Sequence, residues 1–301
     1  VFRRRARPGE RIVIGSLAGC ALASVLVTVG IIAVLASETL RFFAEISPVD
    51  FFTGTQWAPS DRVEPEDFGV LPLINGTLMI VIGAVAVGMP LGVATAVYMS
   101  EYARPRVRSV LKPVIEVLAG IPSVVVGFFA LNFITPSLLR PIFGTERVFI
   151  FNAASGAIAV GLMILPFIAS ISEDVMRSVP QRLRDGAYAM GASRHVVALR
   201  VVIPAALSGI AASVVLGASR AVGETMAVTL AAGNTPRLTV DFFESIQTLT
   251  AYVAQTVGGE VPAGTVRYQA LFAVGSTLFV ITLVMNIVSV RLVNRFRQVY
   301  E

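Results

Sequence analysis

Two charged side chains four residues apart, Arg220 and Glu224, stand in an otherwise apolar stretch, with hydroxyls beside them at Ser219 and Thr225. Ionised groups at membrane depth are rare and serve function. A guanidinium is a planar fork of donors that suits the oxygens of a tetrahedral anion. If the stretch is one helix, the spacing places Arg220 and Glu224 on one face. Two roles follow. Glu224 neutralises Arg220 until an anion displaces it, with Ser219 and Thr225 offering hydroxyls, or the two form a permanent ion pair that fixes helix packing. Upstream, from Arg182 to Pro204, the chain is charged and amphipathic. Leu183 to Met190 reads as a short helix, Gly191 as its stop, Ser193 as the N-cap of a second helix running to about Ile203, and Pro204 as the start of the next element. Such a knob can dock a soluble partner and move as a unit.

The elements that position these residues follow from composition. The chain has 301 residues, 55% of them hydrophobic, and a mean hydropathy of +0.78, too apolar for a soluble domain. A bilayer core of roughly 30 Å needs about 20 apolar residues per helix. Charge-free runs of that length lie between Arg11 and Glu38, Asp67 and Glu101, Glu116 and Arg140, Arg147 and Glu173, and Arg267 and Arg291. A sixth span, from about Ala205 to Ala232, is the one with charge in its middle. The predicted fold is all-α and membrane-integral, with six transmembrane helices. The first run has no small-residue cleavage site after it and reads as a retained helix. The first methionine is Met79, which implies a truncated N-terminus.

Orientation follows from the basic residues. With the N-terminus inside, 17 of the 24 fall in cytoplasmic segments: Arg3, Arg4, Arg5, Arg7, Arg11, Arg104, Arg106, Arg108, Lys112, Arg177, Arg182, Arg184, Arg194, Arg200, Arg291, Arg295 and Arg297. Both termini are therefore expected in the cytoplasm. This asymmetry accounts for the net charge of +5 and excludes a nucleic-acid partner, which would need a basic face on a soluble module. Cys20 and His195 each stand alone, so no disulfide framework or histidine metal cluster is expected. Cys20 reads as a small packing residue and His195 as a partly exposed loop residue.

Further features are structural. Pro90, Pro122 and Pro166 inside spans kink helices or line a pathway. Gly88 and Gly92 permit close helix approach. Lys112 and Glu116 are spaced to pair at the interface, and Ser123, beside Pro122, faces the pathway or packs. Between the first two spans an acidic loop (Glu45, Asp50, Asp61, Glu64, Glu66, Asp67) carries Phe42, Phe43, Phe51, Phe52 and Trp57, expected in part as interfacial anchors. A second outer loop, Gly233 to Arg267, contains Pro236, Gly258, Gly259 and Pro262. A P-loop needs a lysine after its glycines, and the only lysine lies in VLKPV, so ATP hydrolysis must belong to another polypeptide. An ion-coupled secondary anion transporter fits poorly without an inverted repeat. A phosphotransferase or hydrolase would need companions that Glu173 and Asp174 lack.

The loop residues Asp185, Gly186 and Ala187, then Gly191 with Ala192 and Ser193, then Val201, Ile203 and Pro204 resemble in spacing the EAA loop of ABC-importer permeases. Asp replaces Glu and Gly replaces the first Ala. EVLAGIPSVVVGFFA (Glu116 to Ala130), SRAVGETMAVTLAAGN (Ser219 to Asn234) and PLGVATAVYMSEYA (Pro90 to Ala103) are similar to phosphate-import permeases of the Pst system, the C-type subunit in particular. The resemblance spans Leu73 to Val290. It implies a type I importer architecture in a bacterial plasma membrane, and a permease that is not itself an enzyme. The implied partners are a second homologous permease in a heterodimer, two copies of a cytoplasmic ATPase carrying ATP and Mg, and an external phosphate-binding protein. No cofactor is expected on this chain. The parts read as a cytoplasmic N-terminus at 1–11, a first helix at 12–37, an external loop at 38–72, a core at 73–292 with its coupling loop at 182–204, and a cytoplasmic tail at 293–301. Phosphate is the expected cargo; phosphonate and sulfate remain open.

Overall fold

The computed structural model describes residues 8–59, 67–259 and 261–296. Arg3, Arg4, Arg5, Arg7, Asp61, Glu64, Glu66 and Arg297 lie outside them. A backbone in hydrocarbon must bond to itself, and the charge-free runs do so as helices. In chain order these are α1 (Pro8–Glu45), α2 (Pro48–Thr53), α3 (Leu71–Val97), α4 (Pro105–Ala119), α5 (Ser123–Phe129), α6 (Arg140–Phe143), α7 (Ala153–Ser178), α8 (Gln181–Ala189), α9 (Arg194–Val197), α10 (Ile203–Val222), α11 (Met226–Ala231), α12 (Leu249–Gly258) and α13 (Val266–Phe296). Three π-helical segments join neighbours: Tyr98–Tyr102 extends α3, Ala130–Leu139 links α5 to α6, and Ala198–Val202 links α9 to α10. Six of the resulting helical stretches are long and apolar enough to cross a membrane. One antiparallel bridge, Trp57 with Phe68, is the β pairing among the described residues.

The core is the contact of α3 with α7. Without a hydrophobic drive between helices in lipid, close approach at small residues supplies the packing. Gly88 and Gly92 act as expected here. A Cβ on Gly88 would lie 2.7 Å from Ile164 Cγ1 and 2.8 Å from the Gly161 carbonyl oxygen, and one on Gly161 would lie 2.9 Å from Val87 Cβ. The third helix, α10, joins through Gly217 against Ile168 and through a buried hydroxyl pair, Ser172 with Ser213 at 2.8 Å. By contrast α1 is exposed along Val13 to Val34 and touches α13 near its end, where Thr39 Oγ1 and Ser276 Oγ are 2.7 Å apart. Cys20 is exposed on that free stretch and does not pack within the chain.

Several local expectations change. The second loop helix does not end at Ile203: α9, the π-helical turn and α10 run as one helix from Arg194 to Val222. The wider turn at Ala198–Val202 absorbs the donor that Pro204 lacks. The third span starts at Ser123, because Gly120 and Pro122 interrupt the chain and leave α4 as a separate amphipathic helix. Pro90 and Pro166 sit within continuous helices. The outer aromatic residues are not chiefly lipid anchors. Phe42, Phe51, Trp57 and Phe68 are buried with Tyr252, edge to face, with Trp57 and Tyr252 centroids 4.9 Å apart; of the aromatics expected as anchors Phe43 is half-buried and Phe52 alone is exposed. The second outer loop contains α12, and its Phe242 and Glu244 carbonyls accept from Ala154 and Ala153 at the open N-terminus of α7.

Gly88→Val should lower the stability of the purified protein by about 1–3 kcal/mol, since the added atoms meet backbone that cannot yield. Thermal unfolding in detergent checks this, with the exposed Gly30, whose Cβ would meet nothing within 4 Å, as the tolerant control.

Candidate functional site

The span carrying Arg220 is broken. α10 stops at Val222 with Gly223 as C-cap, and α11 starts at Met226. Gly217, below the break, lies against Ile168, and Ala232, above it, lies against Gly156. These contacts bracket the break at the middle of α7, so Arg220 and Glu224 sit at mid-depth of the bundle. The helix ends before the fourth residue, so the two do not share a face, and no ion pair joins them among the described residues. The expectation of a paired Arg220 and Glu224 is therefore corrected. Glu224 Oε1 instead accepts from the Thr225 and Ala227 amides at 3.2 and 3.4 Å, closing the first turn of α11 as an acidic cap does. Its carbonyl accepts from Thr250 Oγ1 at 2.8 Å. Arg220 is exposed.

The hydroxyls around the break are half-buried. Ser219 donates to the Val215 carbonyl at 3.0 Å and Thr225 to that of Gly223 at 3.3 Å. Ser123 stands in the first turn of α5, four residues before Gly127, whose Cα would carry a Cβ 2.8 Å from Ala227 Cα; α5 and α11 are thus neighbours. An apolar cavity of about 400 Å³ lies beside α5, lined by Ile121, Val125, Phe129, Met163 and Pro166 among others.

In the loop, Asp185, Gly186, Gly191 and Ser193 are exposed, Ala187 and Ala192 half-buried, and Pro204 exposed. Gly191 has φ +81°, a left-handed conformation natural to glycine. Ser193 is the N-cap of α9 by backbone conformation, without a side-chain cap bond. The one buried residue of α8 is Arg184. Its Nη2 donates to Glu101 Oε1 at 3.0 Å and to the Met176 carbonyl at 2.8 Å, and its Nη1 to the Val179 carbonyl. A cavity of about 560 Å³ opens beside this pair, lined by Ser100, Arg108, Ser109, Arg177, Tyr188 and Arg194 among others.

A second charged cluster joins α4 to α7. Glu173 is fully buried and contacts Arg108 at 2.8 Å, Lys112 at 3.1 Å and Arg177 at 3.8 Å; Lys112 also reaches Asp174 at 2.6 Å. This corrects the expected Lys112–Glu116 pair: Lys112 turns toward α7, and Glu116 is exposed. The Asp174 hydrogen bond, with Glu173 beside it, raises the Lys112 pKa against the lowering by burial. The clamp is thus intact below the ordinary lysine value and is lost only as pH rises through the raised one. Neither Glu173 nor Glu101 was legible as a partner, because the cations at hydrogen-bonding distance, Arg108 and Lys112 for Glu173 and Arg184 for Glu101, lie more than 60 residues away along the chain. The available signal was a carboxylate at the inner end of a span.

Residues 88–298 match the family model described as binding-protein-dependent transport system inner membrane component. The probable ABC transporter permease protein YqgH of Bacillus subtilis (strain 168) is 38% identical over 266 residues, 87% of this chain and 84% of its own. The phosphate transport system permease protein PstC of Mesorhizobium japonicum is 34% identical over 248 residues, 77% and 74% of the two chains. A chain from the crystal structure of a bacterial alginate ABC transporter in complex with alginate pentasaccharide-bound periplasmic protein has a TM-score of 0.61 at 16% identity, covering 94% of this chain and 96% of its own. That likeness is one of fold.

Glu173→Gln should detach α4 from α7, because it leaves cations without their buried partner, at a cost of roughly 3–5 kcal/mol. Protease cleavage within α4 of the purified protein in detergent, compared with wild type, reads the detachment; equal protection would show that packing alone holds α4.

Proposed function

We propose that this chain, which belongs to the binding-protein-dependent transport system inner membrane component family, is a permease subunit of an ATP-driven phosphate importer. Family membership makes it a multi-pass ABC-importer permease, non-catalytic, whose ATPase is a separate polypeptide. The observation that carries phosphate is the 34% identity, over 77% of this chain, to a protein named PstC. The geometry agrees with an anion. A guanidinium without an acidic partner among the described residues, at the mid-depth break of a discontinuous helix, is placed as substrate sites of transporters are placed.

In the proposed pathway Arg220 meets the phosphate oxygens as a bidentate donor. Ser219, Thr225 and Ser123 supply hydroxyls, those of Ser219 and Thr225 leaving their present backbone acceptors as the anion passes. Glu224 holds the first turn of α11, and its nearby charge keeps the anion from binding tightly, as a conduit requires. The loop bearing Asp185, Gly186, Ala187, Gly191, Ala192, Ser193 and Pro204 docks the ATPase on the face where both termini emerge, which the arginine distribution assigns to the cytoplasm. A second permease completes the pathway, two ATPase copies carry ATP and Mg, and an external binding protein delivers phosphate. ATP binding draws α8 inward and opens the outer side; hydrolysis resets it.

Arg220→Gln in the fully reconstituted importer should reduce uptake of radiolabelled phosphate roughly 10- to 100-fold, the worth of charge-assisted hydrogen bonds, with ATP hydrolysis retained. Unchanged phosphate uptake would remove Arg220 from the path, and sulfate or phosphonate uptake in the wild type would reassign the cargo. At Gly191 the order Gly, then Asn, then Ala is expected for coupled uptake, since the left-handed conformation costs Ala roughly 1–2 kcal/mol and Asn less. Transport per inserted complex checks that order.

A further inference from the structure

The one buried side chain of α8 is a charged one. Arg184 is 8% exposed, whereas Gln181, Arg182, Leu183, Asp185, Gly186, Tyr188 and Ala189 are exposed and Ala187 is half-buried. The helix therefore has no wide apolar face by which to hold the membrane body. Beyond the two-residue link from α7 and the packing of half-buried Ala187 against the cluster of Met176 and Val179, its attachment runs through one guanidinium. That group spans three segments: its own helix, Glu101 in the π-helical turn at the inner end of α3, and the carbonyls of Met176 and Val179 at the end of α7. The carbonyls that close a helix C-terminus lack partners and favour a cation, so Arg184 caps α7 while pairing with α3. Ser100 Oγ donates to the same Glu101 oxygen at 2.8 Å. The π-helical turn contributes a step of register that brings Glu101 inward, to 7% exposure.

We propose that the Arg184–Glu101 pair is the joint through which displacement of α8 reaches the transmembrane helices; the proposal rests on the reading of the 182–204 loop as the ATPase-docking element. Because α3 and α7 meet at a glycine seam too tight to slide, a pull on Arg184 moves them together. The other exit from α8, the Gly191 turn, leads to α10 and reaches the π-helical extension of α3 through Arg194, whose guanidinium lies 5.6 Å from the Tyr102 ring centroid, without an ion pair to α3 or α7 among the described residues. Arg184 and Glu101 are positioning residues, remote from the break at Gly223, and act by transmission.

The test uses the complete reconstituted importer and three readouts: ATPase retained on affinity-purified permease, ATP hydrolysed with loaded binding protein, and radiolabelled phosphate taken up. Glu101→Gln keeps the side-chain shape and should leave the ATPase bound and hydrolysing while uptake per ATP falls about tenfold, a coupling loss of the size linked sites show. E101D should recover most of the ratio, and the reversed pair E101R with R184E more than either single reversal. A merely structural role would lower insertion and reduce hydrolysis and uptake in parallel, and that result, or an unchanged ratio in Glu101→Gln, overturns the proposal. Docking is tested apart by Asp185→Arg. If the ATPase stays bound to that exposed-face variant with wild-type hydrolysis and uptake, the docking reading fails and takes the joint with it.

Discussion

The close approach of α3 and α7 is the contact on which the other parts depend. Two helices in lipid gain nothing from hiding apolar area, so their association rests on fit. Here the fit is a groove of glycines into which Ile164 and Val87 settle. Each charged feature hangs from one of these two helices or ends beside them: Glu101 continues α3, Glu173 stands on α7, and the break after Val222 lies at the level of α7's middle. A pair free to slide would uncouple the loop on one side from the break on the other.

Departures from regular helix are the second organising feature. Nonhelical backbone at membrane depth is tolerated only where its polar groups find partners, and three departures here show what such irregularity does. At Gly223 the Glu224 carboxylate and Thr250 hydroxyl serve the exposed peptide groups. At the inner end of α3 the wider turn delivers a carboxylate to an arginine, and before Pro204 it absorbs a missing donor. The same geometry thus serves as ligand placement in one location and as structural repair in another.

Much of this was legible in the sequence, and the failures share a cause. Charge-free runs marked five of the six spans because hydrocarbon tolerates little else, and Gly191 marked its turn because few residues take positive φ. What the sequence misplaced were partners. Arg220 with Glu224, and Lys112 with Glu116, are spaced for helical pairing, yet the first helix ends two residues too early and Lys112 turns to a neighbouring helix. Local spacing predicts a contact only if the backbone stays regular between the residues and no neighbouring helix offers a better partner. The aromatic residues of the first outer loop failed likewise: anchors and core residues have the same composition, and only the packing of 42–57 and 68–70 with α12 distinguishes them.

The two buried carboxylates and the exposed arginine show how the charges divide. Glu101 and Glu173 each hold a cation from elsewhere in the chain at hydrogen-bonding distance, and a buried ion with its partner in place has no reason to exchange it, since removal of either leaves an uncompensated charge. Such groups suit fixed joints. Arg220 is the opposite case: the nearest acidic residue in sequence is occupied by the amides of α11, and among the described residues no carboxylate pairs with the exposed guanidinium, which leaves it open to water, a partner subunit or an anion. On the proposed reading that asymmetry is functional. The joints stay shut while the helices that carry them move, and the group left unanswered is the one that a passing anion can satisfy.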